Sequence, residues 1–322
     1  MNLKTLAKLA GVSVSTVSKA FSNSDEISEG TKEKVFSVAK EYGCFDKYNK
    51  NRFDKKVVAV ICHEVRGDYY NEYVTKINKY LEENNCVMIV GVDDFLEDKK
   101  AELFSYYSSY CNVDGIIVIG TDKMIDNADN LPAVCIGASS GVKNIDYIHI
   151  DYYYAIKKMI SKLKALGHSK IGFAGENLTV TSEESFVRAM REENIAVDFD
   201  LIYRSQNRFE SAGYDAIDFY LNNGKMPTAV FAAYDNIAIG LMKAAKSSNI
   251  RIPEDLSVVG MDDININTHL DVSLSSINSK TDFVCKLAVD TILNKIKNPY
   301  YHLEDYVVRC EYIGRDSVAS KK

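Results

Sequence analysis

Short hydroxyl side chains and one lysine are concentrated between residues 13 and 19 of the 322-residue chain. The hydroxyl groups belong to Ser13, Ser15, Thr16 and Ser18, and Lys19 follows them. Hydroxyl and ammonium groups donate hydrogen bonds to phosphate oxygens, whereas serine and threonine are poor residues for the middle of a helix. If the segment is helical, Ser15 and Lys19 share a face, because they are four residues apart. The segment therefore favours contact with a phosphate backbone.

Two short helices are needed to position these groups. Apolar residues recur at helical spacing over residues 3–10, stop at Gly11 and restart over residues 14–21. Glycine adopts positive φ readily, so Gly11 suits a turn between crossing helices, and Ser13 suits the N-cap of the second helix. The pattern predicts a helix-turn-helix. The alternative is a small amphipathic hairpin whose lysine is simply solvated.

The charge distribution separates the first 56 residues from the rest. Residues 28–42 have the apolar spacing of a third helix, and residues 44–56 follow as a charged linker, CFDKYNKNRFDKK. Residues 1–56 hold eleven Lys or Arg and seven Asp or Glu, a net charge of +4. The remaining residues hold 28 basic and 38 acidic groups, a net charge of −10. A basic head on an acidic body is expected where only one end of a protein meets phosphate.

From residue 57 the pattern changes to alternating strands and helices. Short apolar runs typical of buried parallel strands lie at residues 57–62, 86–92, 114–120, 133–137, 170–175, 229–233 and 256–263. Helical stretches lie at residues 70–84, 99–110, 154–166, 182–193, 212–222 and 236–248. The alternation predicts an α/β body of two doubly wound parallel-sheet lobes, divided near Asp151. A ligand cleft is expected at the carboxyl ends of the strands.

Polar and aromatic side chains follow the predicted strands at this cleft. Asp68, Tyr69 and Tyr70 come after the first strand, and Asp262 ends the strand at 256–263. Aromatic rings stack on the apolar faces of sugars or bases, and carboxylates accept hydrogen bonds from hydroxyl groups. The cleft therefore suits a polyhydroxylated ligand, although Tyr70 equally suits packing at the start of a helix.

Longer motifs extend this picture from the head into the body. They are TLAKLAGVSVSTVSKAF, LGHSKIGFAG, TAVFAAYDNIAIGLMKAA, IRIPEDLSVVGMDDI and YIGRDSV. Together they resemble the lactose and galactose repressor family of bacterial transcription factors over nearly the whole chain. The resemblance implies an all-α helix-turn-helix head that binds DNA and an α/β body similar to periplasmic sugar-binding proteins. It puts Val14, Ser15 and Lys19 at the base-reading positions. The DNA-contacting residues predicted are Thr5, Val14, Ser15, Thr16, Ser18, Lys19, Asn23 and Phe53.

The linker departs from this family. Its members carry a Pro-Asn step and an Ala-Arg pair before a leucine that wedges into the minor groove. Here Asp46 and Lys47 stand at the first position, Lys50 and Asn51 at the second, and Phe53 at the third. Phenylalanine can also act as a wedge. Both a hinge helix and a flexible basic tether fit these residues.

The pocket departs from the family as well. Gly137 stands where many members have Asp, Ser182 where an Arg grips the sugar, and Tyr234 where Asn is common. Losing charged groups changes which hydroxyls can be paired, so the resemblance implies a sugar or glycoside without identifying it. The effector-binding residues predicted are Asp68, Tyr69, Tyr70, Gly137, Ser182, Phe231, Tyr234, Asp235 and Asp262. Helix capping by Asp235 and a purely structural pocket are the alternatives.

Domain boundaries follow from these patterns and from the resemblance. Residues 1–56 are predicted to form the DNA-binding head and hinge, and residues 57–322 the effector-binding and dimerisation body. The family's chain crosses between its lobes three times. The first lobe is therefore expected to hold about 57–150 and 281–300, and the second about 151–280 and 301–322.

Other classes of protein find no support in the sequence. The seven cysteines form no CxxC pair and sit in apolar runs, which indicates buried, reduced thiols. The five histidines lack metal-ligand spacing and no GxSxG, GxxxxGK[ST] or HExxH motif occurs, so no catalytic residue, metal or cofactor is predicted. Lys4 and Lys8 interrupt the first residues and no long apolar run follows, so we expect a cytoplasmic protein without a signal peptide or membrane span.

The function predicted is that of a sequence-specific DNA-binding regulator, a repressor by resemblance, that binds a palindromic operator as a homodimer. A small-molecule effector, expected to be a carbohydrate, would control its operator affinity from the cleft. Two alternatives come from other classes: a cytoplasmic solute-binding protein without DNA regulation, and a sugar or nucleoside enzyme on the same body.

Overall fold

The computed structural model describes residues 1–22, 24, 26–48, 55–109, 111, 113–121, 123, 125, 131–138, 141–298 and 302–321. The chain divides into two compact units. The first, here called the head, comprises Met1–Lys56 with Asn85–Val87. The second, called the body, comprises Val57–Asn84 with Met88–Lys322.

Helices built around one small apolar core make up the described part of residues 1–56. They are α1 (Leu3–Ala10), α2 (Val14–Phe21), α3 (Glu29–Glu41) and the single turn α4 (Phe45–Tyr48). Gly11 ends α1 with φ 63°, and the Ser13 hydroxyl accepts a hydrogen bond from the Thr16 amide at 3.0 Å. Leu6, Val17 and Val35 are fully buried between the helices. The predicted helix-turn-helix is confirmed.

The start of the linker packs on this head. The Phe21 ring lies 5.8 Å from Phe45 and 5.9 Å from Tyr48, measured between ring centroids. The aromatic residues of α4 therefore extend the apolar core that the first three helices build. Lys50, Asn51 and Phe53, which decide between a hinge helix and a tether, lie outside the described residues.

Six strands of the described body form the sheet of the first lobe, and the first five in its spatial order pair with one another in parallel. In spatial order they are β11 (Asp305–Arg309), β5 (Ile145–Asp151), β4 (Ala133–Ala138), β3 (Gly115–Thr121), β1 (Lys56–Cys62) and β2 (Cys86–Val92). The interior strands β1, β3 and β4 are continuous apolar runs and are largely buried, as expected for a sheet covered on both faces.

The second lobe contains a four-stranded parallel sheet and a small antiparallel pair. The sheet has the order β7 (Ile202–Ser205), β6 (Ile171–Glu176), β8 (Ala229–Ala232) and β9 (Ser257–Val259). The pair is formed by β10 (Ser276–Asn278) and β12 (Glu311–Ile313). In each parallel sheet the strand order reverses direction, between β1 and β3 and between β6 and β8. Such a reversal opens a crevice at the carboxyl ends of the strands.

Helices connect and cover these strands. They are α5 (Asp68–Glu83), α6 (Glu97–Ser109), α7 (Tyr152–Ala165), α8 (Val180–Glu192), α9 (Glu210–Asn222), α10 (Asp235–Ser247) and α11 (Thr281–Lys297). In the second lobe α7 packs on α8 and α9 on α10, while α11 packs on α5 and on β3 and β4 of the first lobe. The predicted fold class, a helical head with an α/β body of parallel sheets, is confirmed.

The position of β11 differs from the expected boundaries, which put residues 301–322 in the second lobe. β11 pairs in parallel with β5, from Asp305 opposite Tyr147 to Arg309 opposite Asp151, and so belongs to the first lobe. A buried carboxylate ties it there, since Asp146 accepts a hydrogen bond from the Glu304 amide at 2.7 Å and pairs with Lys295. Adding β11 also covers the outer edge of β5, which would otherwise expose its backbone groups.

Two further observations bear on the class of the protein. Among the described residues, no helix is both long and apolar enough to cross a membrane. In the same residues, no cluster of three or more His, Cys, Asp or Glu side chains is arranged to hold a metal ion. Six of the seven cysteines are buried, and burial raises the pKa of Cys62 to about 11 and that of Cys310 to about 12.

Candidate functional sites

The exposed face of α2 carries most of the predicted DNA-contacting residues. Val14, Ser15 and Ser18 are exposed, whereas Val17 on the opposite side is fully buried. Val14 is notable because 41% of this apolar residue remains accessible. The helix thus presents one valine methyl surface and two hydroxyl groups to solvent, a combination suited to base edges and phosphate oxygens.

Three other predicted residues of the head make contacts of their own. The Thr5 hydroxyl donates to Asn2 Oδ1 at 2.9 Å, and Thr16 Oγ1 lies 2.8 Å from Ser13 Oγ. The Lys19 ammonium forms an ion pair with Glu26 in the loop after α2. Both partners are substantially exposed, so a phosphate or a base could compete with the Glu26 carboxylate at small cost. Asn23 and Phe53 lie outside the described residues.

A cavity of about 340 Å³ opens between the two lobes of the body. Its walls come mainly from residues that follow the carboxyl ends of β1, β6, β8 and β9 and from the beginnings of the adjoining helices. This is the location that the strand order favours in each sheet. The volume lies within the range of small-molecule sites.

Tyrosine hydroxyls form the inner part of this cavity. The hydroxyl oxygens of Tyr69 and Tyr152 lie 3.2 Å apart, and the Tyr69 ring packs against Tyr73 with centroids at 4.9 Å. Burial raises the pKa of Tyr69 to about 12 and that of Tyr152 well above its ordinary value. Both side chains therefore keep their protons at neutral pH and can donate as well as accept hydrogen bonds.

Further aromatic side chains flank the tyrosines on the first-lobe side. Tyr70 meets His63 edge to face with centroids at 5.6 Å, and Phe95 stacks on His63 at 4.7 Å. Both Tyr70 and Phe95 line the cavity. His63 Nδ1 lies 2.7 Å from the buried Asp93 carboxylate, which fixes the imidazole and, through it, the two rings.

Asp262 provides a carboxyl group between the aromatic walls. It lines the cavity after β9, with φ 101°, an uncommon value for a residue other than glycine. Burial, reinforced by the nearby Asp235, Glu72 and Asp68 carboxylates, raises the pKa of Asp262 well above its ordinary value. A carboxyl group so placed can exchange hydrogen bonds with ligand hydroxyls in either protonation state.

Charged side chains also meet at the cavity wall. Arg208 Nη2 and Nη1 donate to the two oxygens of Glu64 at 2.8 and 3.0 Å, and its Nε donates to Glu176 at 3.3 Å. Glu64 follows β1 in the first lobe, whereas Glu176 ends β6 in the second. Hydrogen bonding to Glu64 raises the pKa of Arg208 further above its usual value. The Glu64–Arg208 pair therefore links the lobes across the cavity.

The residue after Arg208 has an unusual backbone. Phe209 adopts φ 58° and ψ −141°, and its amide donates to the Tyr234 hydroxyl at 3.0 Å. Its ring lies so close to Gly67 that a Cβ atom there would approach Phe209 Cε1 to 2.6 Å. Gly67 itself has φ 87°. The Phe209 ring occupies the space that a side chain at residue 67 would need.

Six of the nine predicted effector-binding residues line this cavity: Asp68, Tyr69, Tyr70, Ser182, Tyr234 and Asp262. Gly137, Phe231 and Asp235 are not among the described residues that line it. Gly137 lies in β4, where a Cβ atom would approach the Gly120 carbonyl oxygen to 1.8 Å, so close strand packing accounts for the glycine. Phe231 is fully buried in the core of the second lobe.

Asp235 is a buried structural group at the first position of α10, but its carboxylate does not cap that helix as the alternative supposed. Its carboxylate accepts hydrogen bonds from the Ile264 amide at 2.9 Å, Asn267 Nδ2 at 2.7 Å and Ser276 Oγ at 2.7 Å. Burial nevertheless raises the pKa of Asp235 to about 7. It joins the start of α10 to the turn after β9 and to β10.

Several cavity residues were missed by the sequence analysis, chiefly Glu64, Glu176, Arg208 and Phe209. Glu64 and Glu176 stand at the ends of strands that the pattern did predict, so their place beside the cleft could have been inferred from the sequence. Arg208 and Phe209 follow β7, a four-residue strand that has no continuous apolar run and was not predicted. Recognising Ile202–Ser205 as a strand would have pointed to the loop that carries them.

Two family descriptions match the chain. Residues 2–44 match "Bacterial regulatory proteins, lacI family", and residues 160–318 match "Periplasmic binding protein-like domain". Among curated relatives, the ribose operon repressor of Haemophilus influenzae is 29% identical over 336 residues and 99% of each chain. The HTH-type transcriptional repressor CytR of Escherichia coli K12 is 27% identical over 98% of this chain and 95% of its own.

A solved structure shares the whole architecture. The lac repressor dimer bound to operator and the anti-inducer ONPF superposes with a TM-score of 0.71 at 21% identity, covering 99% of each chain. At this identity the likeness supports the fold. The described helices of the head and both lobes of the body therefore have folds found in a single solved chain.

Proposed function

Because this chain belongs to the lacI family of bacterial regulatory proteins, we propose that a carbohydrate in the cleft of the body sets its affinity for operator DNA. It is a DNA-binding transcriptional regulator, and the prediction that it is not an enzyme is confirmed by the family. The observation that carries the proposal is the cavity of about 340 Å³ between two lobes, lined by tyrosine hydroxyls and carboxyl groups.

The composition of the cavity supports a polyhydroxylated ligand with an apolar face. Tyr69, Tyr152 and Tyr234 offer hydroxyl groups that keep their protons, and Ser182 adds another. Aromatic rings stack on the apolar faces of sugar rings, while Asp262 can pair with hydroxyl groups. The relative named for a ribose operon supports the same ligand class.

The two lobes supply different parts of this site, which suggests how binding is transmitted. Asp68 and Tyr69 begin α5 in the first lobe, whereas Ser182 and Tyr234 belong to the second. A ligand that contacts both sets stabilises one relative placement of the lobes. If operator DNA favours a different placement, ligand and DNA weaken each other's binding by the same factor.

On the DNA side we propose that α2 reads the operator with Val14, Ser15 and Lys19 in the major groove. Thr5, Thr16, Ser18 and Asn23 would make further DNA contacts, and Phe53 would act as the wedge in the minor groove. One short recognition helix specifies few base pairs, so two copies of the chain on a palindromic site are needed for specificity. The lac repressor structure is such a dimer on its operator. The protein would therefore act as a homodimeric repressor in the cytoplasm.

The proposal is tested by a ligand screen followed by a DNA-binding assay. Thermal unfolding of the full chain is measured with monosaccharides, disaccharides and nucleosides, because a ligand of the folded state raises Tm. Any ligand found is then added to a fluorescence-anisotropy titration with operator DNA. A sugar that raises Tm and lowers or raises operator affinity supports the proposal. A sugar that raises Tm without changing operator affinity contradicts the coupling.

A further inference from the structure

The Glu64–Arg208–Glu176 cluster leaves the Arg208 guanidinium unavailable for an anion in the cavity. Glu64 holds both terminal nitrogens of Arg208 in a fork, and Glu176 holds its Nε. The side chain of Glu176 is only 3% exposed and that of Glu64 only 15%. A carboxylate or phosphate of a ligand would have to displace one of these partners, and the displaced carboxylate would then lie unpaired in a half-buried site.

The other charged side chains of the cavity also disfavour an anionic ligand. Of the described residues that line it, Glu64, Asp68, Glu176 and Asp262 are acidic, whereas Arg66 and Arg208 are the cations. Arg66 is exposed and its guanidinium lies over the Phe209 ring, 5.4 Å from the centroid. Carboxyl groups still outnumber cations when Asp262 is protonated. The wall therefore repels a negatively charged ligand.

Helix N-termini usually favour anions, and five helices begin at this cavity: α5, α7, α8, α9 and α10. α7 is capped by Asp151, whose carboxylate accepts a hydrogen bond from the Tyr154 amide at 3.0 Å. The other four helices carry an acidic residue in the first turn, namely Asp68, Glu183, Glu210 and Asp235. An acidic residue at the start of each helix reduces the attraction of that helix end for an anion.

We propose that this cluster makes the cavity select uncharged ligands and exclude phosphorylated or carboxylated sugars and nucleotides, with Glu64 and Arg208 as the specificity-determining pair. The inference rests on the proposed function, since it assigns a ligand class to the same cavity. Glu64 comes from the first lobe and Arg208 from the second. Selection against anions is therefore strongest when the two lobes are joined by this ion pair.

The test uses inorganic phosphate as the probe and the full-length protein. Phosphate binding to the wild type and to Glu64→Gln is measured by thermal unfolding and calorimetry, against sodium chloride at equal ionic strength. The amide cannot form the charged fork, so Arg208 becomes available, and we expect phosphate to bind at least about tenfold more tightly to Glu64→Gln. Adding Arg208→Gln to this variant should abolish the gain.

A matched control is available on the same lobe as Arg208. Glu192 pairs with Lys157 at 2.7 Å and with Arg188 at 3.0 Å at the other end of α8. None of the three lines the cavity among the described positions, so Glu192→Gln makes the same charge change elsewhere. It should leave phosphate binding as weak as in the wild type. If Glu64→Gln does not fold, as judged by its melting transition, Glu64→Ser provides the same loss of charge in a smaller side chain.

The inference is overturned if wild-type protein binds phosphate as tightly as Glu64→Gln, or if Glu192→Gln gains as much affinity. A separate arm compares ribose with ribose 5-phosphate and cytidine with its monophosphate. Tighter binding of the phosphorylated member of a pair to the wild type also overturns it. Failure of every neutral sugar, together with phosphate gain in Glu64→Gln, would instead contradict the carbohydrate effector and leave the charge selection supported.

Discussion

Lys19 pairs with an acidic side chain in the free head and is proposed to contact DNA. Its ammonium pairs with Glu26, and its position on α2 is suited to a base or a phosphate. Because both partners are exposed, releasing Lys19 to DNA costs little.

Replacing Lys19 by alanine should weaken operator binding by about 1–3 kcal/mol and relax the preference at one base pair. The measurement is fluorescence anisotropy with an operator and a set of single-base variants. Lys225→Ala is the matched control, because Lys225 is also an exposed, ion-paired lysine but lies in the body. An unchanged footprint for Lys19→Ala would remove this residue from base reading.

The start of α2 offers a comparison between two serine caps. Ser13 accepts the Thr16 amide hydrogen bond, whereas Ser28 at the start of α3 makes no such bond to the backbone. Ser13→Ala should cost about 1 kcal/mol and speed hydrogen exchange of α2 amides about fivefold, while Ser28→Ala should cost much less. Exchange is followed by mass spectrometry on the full chain. Equal effects of the two substitutions would contradict the cap assignment.

Asp235 connects three elements of the second lobe, and its buried carboxyl group links their stability to pH. Its pKa is raised from 3.8 to about 7, so the folded state binds the proton more tightly than the unfolded chain. The stability contributed by protonated Asp235 is complete below about pH 4 and is lost as the pH rises through 7. Asp235→Asn does not titrate at this position.

The difference in stability between the wild type and Asp235→Asn should therefore decrease, to the disadvantage of the wild type, as the pH rises from about 4 to 7. Melting temperatures of both proteins, measured in parallel across this interval, give the difference directly. Other titrating groups are common to both chains and cancel in the comparison. A difference that stays constant or grows with pH would show that the Asp235 carboxylate is not destabilised by burial.

At the level of elements, the sequence predicts continuous apolar strands well, but the strands β5, β7 and β11 and the helix α11 were not predicted. Strands such as β1 and β3 are continuous apolar runs, and the pattern identifies them within a residue or two. β7 has only four residues and includes Arg204, and β11 is a largely exposed edge strand. Neither carries the apolar run on which the prediction depends, because neither is buried on both faces.

The same limit explains what was missed in the cavity. Tyr69 and Asp262 follow recognisable strands and were predicted, whereas Arg208 and Phe209 follow β7 and were not. The pairing of Glu64 with Arg208 joins positions 144 residues apart in the chain. Local pattern carries no information on such a contact, since it depends on how the two lobes pack.

For the whole molecule, the sign of the net charge differs between the head and the rest of the chain. Residues 1–56 have a net charge of +4 and the remainder −10. Non-specific DNA affinity should therefore fall steeply with salt through counterion release, by about 0.9 logarithmic units per phosphate neutralised for each tenfold rise in salt. Binding of an uncharged sugar to the body should change little with salt.

Anisotropy on non-operator DNA and calorimetry with the sugar, each from low to high salt, provide the comparison. DNA binding that is insensitive to salt would contradict the assignment of the head.

The close approach of Phe209 to Gly67 also constrains how relatives of this protein can diverge. Any side chain at residue 67 would collide with the Phe209 ring and would have to adopt φ 87°. A substitution at residue 67 is therefore tolerated only if a smaller residue first replaces Phe209. The cavity then loses an aromatic side chain from its wall. Across descendants of this sequence, residues 67 and 209 should therefore change together. A new ligand preference would then need a substitution in each lobe.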